Sequence, residues 1–422
     1  MLSALLAALP AASHPIPETP AAAPAILVER VTTKVPFPRG LQLVDGQLYV
    51  LCRGRVREYG GVSAAVEDQA GSLYAVDPEV VEVFGAGEPS ERVRENGVVV
   101  AAPTSPPFRL WDREASPPWS DRETDRPYCG LSWSPETKSF FICAFSGVDR
   151  DEKTGTTFSK NLTDAILRYD TRTSKWYEVE RHNIDKGGLY PHHDPASSKP
   201  PHGWLNGPDN CLALGRWLYA VSKDNSRLVR YDLAPLVADP EAGAPESVVV
   251  LGDQVRTRNA GELRLEGHSA LAQRDGWLYL GTRTSGHVVR VRLDGDLALR
   301  QPLEVELIAT FDAWDPNTRK SGNITDLSFG PDGDLYAVST TPSRVYRMRP
   351  DPSRVFDARD GRERPYVDLA ALTGNPKMKS ENLLVDAQGR VYITSGDAYS
   401  YQGGAGGVVW RVTVGGRDED GG

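Results

Sequence analysis

Apolar and polar residues alternate along most of this chain in short runs, and the runs come in pairs. Leu41-Gln42-Leu43 is followed by Leu48-Tyr49-Val50, Leu131-Ser132-Trp133 by Phe140-Phe141-Ile142, and Leu212-Ala213-Leu214 by Leu218-Tyr219-Ala220. The phrase returns as Ala270-Leu271-Ala272 with Leu278-Tyr279-Leu280, Leu327-Ser328-Phe329 with Leu335-Tyr336-Ala337, and Leu383-Leu384-Val385 with Val391-Tyr392-Ile393. Successive side chains on a strand point to opposite faces, so each pair predicts a hairpin. Between the runs stand Asp45-Gly46, Asp275-Gly276, Pro331-Asp332-Gly333 and Gln388-Gly389, where glycine supplies the positive φ of a tight turn. Six copies of one small β unit predict an all-β fold, a six-bladed β-propeller.

Aligned on their aromatic residue, the copies place Gly40, Gly130, Asn210, Ser269, Asp326 and Asn382 in one slot just before the first strand. The last four of these recur at nearly even spacing, the length of a four-stranded blade with its loops. Too few residues follow Asn382 to complete a blade, and the β-branched stretch 25–32 is suited to supply the missing strand. Closure by that N-terminal strand hides sheet edges that would otherwise pair with other chains. Residues 25–415 therefore read as one propeller domain, preceded by a flexible leader or export signal over 1–24 and followed by a disordered tail over 416–422. Blades one and two are long, with insertions near 102–127, 148–161 and 184–205. These are expected to build long loops on the top face, over one mouth of the central channel.

Composition narrows the picture. Helical periodicity is almost absent, and 40 Gly and 32 Pro are spread through the turns. A net charge of -9 and a pI near 5.4 without a basic stripe argue against nucleic acid as the partner. No stretch approaches the length of a membrane span. The apolar segment 1–13 leans toward export, periplasmic or secreted, but lacks the basic start of a signal, which leaves a cytoplasmic location open. Cys52, Cys129, Cys143 and Cys211 have no metal-binding spacing, and buried free thiols are favoured over a disulfide. Asn161-Leu162-Thr163 and Asn323-Ile324-Thr325 match the glycosylation sequon. No association face is evident, so a monomer is the default.

Candidate chemistry follows from the ring. The residues before the six innermost strands crowd around one channel mouth: Arg39, Cys129, Asp209, His268, Thr325 and Glu381 in one slot, with Asn210, Ser269, Asp326 and Asn382 in the next. Carboxylate and amide oxygens in such a ring suit a divalent cation, most naturally Ca²⁺. They equally suit ordered channel water. His268 is the leading candidate for proton transfer, with Asp326 or Asp209 as alternatives. Arg39, Trp111, Trp119, His192 and His202, at the mouth or on the inserted loops, are candidate substrate contacts. There is no P-loop, dinucleotide fingerprint, GxSxG elbow or HExxH motif.

Asn206-Gly207-Pro208-Asp209-Asn210, the following Leu218-Tyr219-Ala220-Val221-Ser222 and Arg227-Leu228-Val229-Arg230-Tyr231-Asp232 resemble the central blades of the senescence marker protein, gluconolactonase and paraoxonase group. Thr325-Asp326-Leu327-Ser328-Phe329-Gly330-Pro331-Asp332-Gly333 and Glu381-Asn382-Leu383 extend the resemblance, which covers roughly 36–415. It implies a six-bladed propeller with a catalytic divalent cation, usually calcium, held by Asn210, Asp326 and either Glu381 or Asn382. It further implies hydrolysis of small-molecule lactones or esters. Arg39-Gly40 departs from the group's pattern, which often has an acidic residue there. NHL-repeat proteins, many of them scaffolds, share similar blade sentences. The two expectations are therefore a metal-dependent hydrolase and a non-catalytic scaffold gripping a protein or glycan through its top-face loops.

Overall fold

The computed structural model describes residues 26–35, 38–52, 72–85, 88–101, 128–144, 148–150, 157–159, 163–183, 205, 207–243, 245–313, 323–340, 342–376, 378–395 and 407–414. Six sheets, each built on four antiparallel strands, stand around a central axis. Blade one runs outward through Pro38–Val44, Gln47–Cys52, Leu73–Val76 and Val98–Ala101, and blade two through Tyr128–Ser134, Ser139–Ala144, Thr163–Asp170 and Lys175–Asn183. Blade three comprises Pro208–Leu214, Trp217–Ser222, Arg227–Asp232 and Ser247–Leu251; blade four comprises His268–Arg274, Trp277–Thr282, His287–Arg292 and Val305–Thr310. Ile324–Phe329, Leu335–Thr340, Ser343–Met348 and Val367–Asp368 form blade five. Each innermost strand packs beside the next, and that of blade six beside that of blade one.

The expected closure is present. Blade six takes Ser380–Val385, Val391–Ser395 and Val408–Val414 from the C-terminal end of the chain and Ile26–Thr32 from the N-terminal end, the last two pairing antiparallel from Ile26↔Val414 to Thr32↔Val409. Arg411 Nε donates to Glu29 Oε2 at 2.7 Å in a buried ion pair across this joint. The seam between blades six and one is apolar: Val31, Leu48, Val50, Tyr74, Tyr392 and Val409 are all fully buried.

Local chemistry explains the hairpins. At Asp45-Gly46 and Asp275-Gly276 both turn residues have positive φ (51° and 80°, 52° and 74°), the backbone that matches the twist of a two-residue hairpin. The three α-helices among the described residues, Glu91–Glu95, Ala234–Ala238 and Leu369–Thr373, are single turns between strands. Of the blade-two insertion near 148–161, Val148–Arg150 and Thr157–Ser159 form a separate two-stranded ribbon. The insertions over 102–127 and 184–204, the leader 1–24, the tail 416–422 and the sequon at Asn161 lie outside the described residues.

None of the four cysteines forms a disulfide, and all four are buried. The Asn323-Ile324-Thr325 sequon is buried at all three positions, so the folded chain does not present it. Among the described residues no helix is long and apolar enough to cross a membrane.

Candidate functional site

Every innermost strand carries a β-bulge at its start. The register shifts fall between Pro38 and Leu41, Tyr128 and Leu131, Pro208 and Asn210, His268 and Ala270, Ile324 and Asp326, and Ser380 and Leu383. A bulge puts two residues opposite one and re-aims a side chain that strict alternation would send to the other face. This is why neighbours such as Asp209 and Asn210, or Glu381 and Asn382, both take part in the polar cluster at the mouth.

Asp326 is the centre of that cluster. Its Oδ1 accepts from Asn210 Nδ2 at 2.8 Å and from the Leu327 backbone N–H at 2.9 Å; its Oδ2 accepts from Asn382 Nδ2 and the Leu383 N–H, both at 3.1 Å. Asn210 belongs to blade three and Asn382 to blade six, so one carboxylate ties three blades together, passing over blade four. Burial pushes the Asp326 carboxyl up from its ordinary 3.8 to about 7, against the pull of these four donors.

Around it stand three ion pairs. Arg39 pairs with Glu381, Lys223 Nζ lies 3.1 Å from Asp224 Oδ1, and Arg283 Nη1 lies 3.7 Å from Asp209 Oδ2. The last pair is loose: 3.7 Å exceeds hydrogen-bond length, and neither side chain makes another hydrogen bond among the described residues. Burial raises the Asp209 pKa, only partly countered by Arg283, Lys223 and Arg39. Burial works against the charge of Arg283 too, but Asp209, Glu381, Cys129 and Asp224 outweigh it and its pKa rises.

His268 stands apart from the carboxylate cluster. It is fully buried, and its neighbours are the backbone of Arg227 and Leu265 and the more distant charge of Asp253. Burial lowers its pKa to about 4, so the ring is neutral near pH 7. Ser269, beside it, donates from Oγ to the Ile324 carbonyl at 2.5 Å and so joins blade four to blade five. Trp111, Trp119, His192 and His202 lie outside the described residues.

The structure brings together Asn210, Asp326 and Asn382, and separately Arg39 with Glu381. As arranged, this set does not fit a cation. Asn210 and Asn382 turn N–H groups toward Asp326, and Asn210 Oδ1 is already taken by the Cys211 N–H at 2.8 Å. Rotating that amide would set two donors face to face. Asp326 already accepts four hydrogen bonds, so a cation would have to displace at least one of its donors, and Glu381 already holds a guanidinium. Among the described residues no three His, Cys, Asp or Glu side chains gather as a metal site.

Arg283 and Lys223 were not among the sequence-derived candidates. The available signal was positional: each directly follows the second strand of its blade, after Thr282 and Ser222. Those ends are antiparallel partners of the bulged starts, and so lie at the same mouth.

No family model matches the chain, and no curated protein matches it. Solved structures with a related course include the apo form of the soluble aldose sugar dehydrogenase of Escherichia coli, with 11% identity and a TM-score of 0.42 over 92% of this chain and 100% of that one. The PQQ-bound aldose sugar dehydrogenase of Streptomyces coelicolor has 11% identity and a TM-score of 0.46, over 93% and 100% of the two chains. A catalytically inactive virginiamycin B lyase of Staphylococcus aureus with quinupristin has 11% identity and a TM-score of 0.42, over 92% and 99%. The assignment of a propeller rests on the chain's own six sheets.

Proposed function

We propose that the protein is a hydrolase of small-molecule lactones or esters that works at the channel mouth. The observation that carries this reading is the buried Asp326 carboxyl, gathered from three blades and titrating at about 7. A general base is most effective when its pKa lies near the working pH. In the proposed step a water replaces Asn382, one of the longer contacts on the carboxylate, and gives its proton to Asp326 as its oxygen attacks the substrate carbonyl carbon. The carbonyl oxygen gains the displaced electron pair, and a guanidinium, Arg39 or Arg283, stabilises that charge. The bond to the leaving oxygen then breaks, and the proton returns from Asp326 to that oxygen. A carboxylic acid and an alcohol result, joined in one molecule when the substrate is a lactone. The calcium expected from the sequence enters no step, since the amides present N–H groups where its ligands would stand.

The test is a panel of aryl esters and lactones, with Asp326→Asn as the variant. Turnover that rises with pH through about 7 and is lost in Asp326→Asn supports the reading. Turnover unchanged in a folded Asp326→Asn protein refutes it. A second reading, a non-catalytic scaffold, is favoured by one observation: the four donors on Asp326 also describe a satisfied structural joint. It predicts no turnover on any member of the panel.

A further inference from the structure

Among the described residues, Asp209, Arg283 and Thr325 at the mouth have incomplete bonding. Asp209 and Arg283 face each other at 3.7 Å without a hydrogen bond, with side chains 9% and 29% exposed. Thr325 is buried, and among the described residues its Oγ1 has no hydrogen-bond partner. The three belong to adjacent blades. Gly281, two residues before Arg283, lies so close to Ile324, the residue before Thr325, that an added Cβ would stand 3.0 Å from its Cγ2. Buried polar groups in folded proteins are nearly always satisfied, and a cluster that is not satisfied internally awaits water or a ligand. The other acids of the mouth differ, since Glu381 is held by Arg39 and Asp326 by four donors.

From this arrangement we infer that Arg283, Asp209 and Thr325 form a binding subsite for a hydroxycarboxylate. The guanidinium donates to the carboxylate oxygens, Asp209 accepts from the hydroxyl, and the Thr325 hydroxyl completes the set. A simple carboxylate would satisfy Arg283 but leave Asp209 without a donor. The inference rests on the hydrolase reading for its choice of ligand, because opening a lactone leaves the carboxylate and the hydroxyl on one product. Arg283 is then a specificity-determining residue, distinct from Asp326.

Isothermal titration calorimetry of the full chain with γ-hydroxybutyrate and with butyrate tests this. The hydroxy acid is expected to bind saturably and to be preferred about tenfold. Arg283→Gln should weaken it by about tenfold or more, the effect of one hydrogen bond to a charged group. Arg283→Lys should retain part of the affinity, and Asp209→Ala, which removes the acceptor, should erase the preference over butyrate. Thr325→Val, which keeps the side-chain shape, should weaken the hydroxy acid alone, and supplies the readout if Arg283→Gln does not fold. Absence of saturable binding, or equal binding by wild type and the folded variants, overturns the subsite. Binding without turnover leaves the subsite standing and removes the hydrolase reading. Lactone turnover by the wild type that γ-hydroxybutyrate does not inhibit does the reverse.

Discussion

Replacing Asp326 by Asn removes one titration from the fold while nearly preserving its shape. The carboxyl titrates at about 7 in the folded chain and at its ordinary 3.8 when unfolded. Below the lower value both states hold the proton and burial costs nothing. As pH rises, the unfolded chain releases its proton first, so stability falls until the folded carboxyl ionises at about 7. The gap corresponds to about 4 kcal/mol at ~1.4 kcal/mol per pH unit. Asn offers one oxygen to two of the four donors and sets an N–H group against the other two, which costs about 1–3 kcal/mol per unpaired group at every pH. His268 acts in the opposite direction: with its pKa lowered to about 4, its contribution is complete above about 6.5 and is lost as pH falls. The pH profile of the wild type alone therefore mixes two opposed slopes, and the difference between wild type and variant isolates Asp326. Urea unfolding followed by tryptophan fluorescence, in steps from about pH 4.5 to about pH 8, should show the variant's deficit narrowing by several kcal/mol as pH rises. A deficit that stays constant to within about 1 kcal/mol would falsify the buried, proton-holding carboxyl.

Gly130→Ala should damage the site from a distance, because an added Cβ would lie 2.6 Å from the Asn210 Cα and 2.8 Å from its Oδ1; about 1–3 kcal/mol of stability should be lost by thermal melting. Glu29→Ala removes the 2.7 Å partner of the buried Arg411 at the ring joint and leaves it the Pro78 carbonyl at 3.1 Å and Glu79 at 3.3 Å. A loss of about 1–3 kcal/mol is expected, with a melting temperature equal to wild type as the contrary result. Calcium and chelator are each expected to leave the melting temperature unchanged, whereas a calcium-dependent rise lost in Asp326→Ala would restore Asn210, Asp326, Glu381 and Asn382 as a ligand set. Exchanging the charges of Arg39 and Glu381 together should retain more stability than either single replacement, as a double-mutant cycle would measure.

The ring was legible in the sequence because its unit is local. Each hairpin is specified by alternation over a few residues and by turn positions such as Asp45-Gly46, and six copies leave few ways to bury their faces except around an axis. The closing strand was equally legible, since blade six lacked one and the β-branched stretch 25–32 was unassigned. Slot alignment even named Asn210, Asp326 and Asn382 as neighbours at one mouth. What alignment could not carry was direction. The Asn210 bond to Asp326 joins residues 116 positions apart across blade four, and which amide atom faces the carboxylate depends on the Cys211 N–H that holds the other end. His268 shares its slot with Asp209, yet it is sealed against Arg227 and Leu265, because each bulge aims its pair of residues separately. Arg283 entered from the opposite end of a hairpin. A strand's period fixes which residues share a face, but partners across a closed ring, their protonation and the gap between Asp209 and Arg283 are set by packing, and only the tertiary structure decides them.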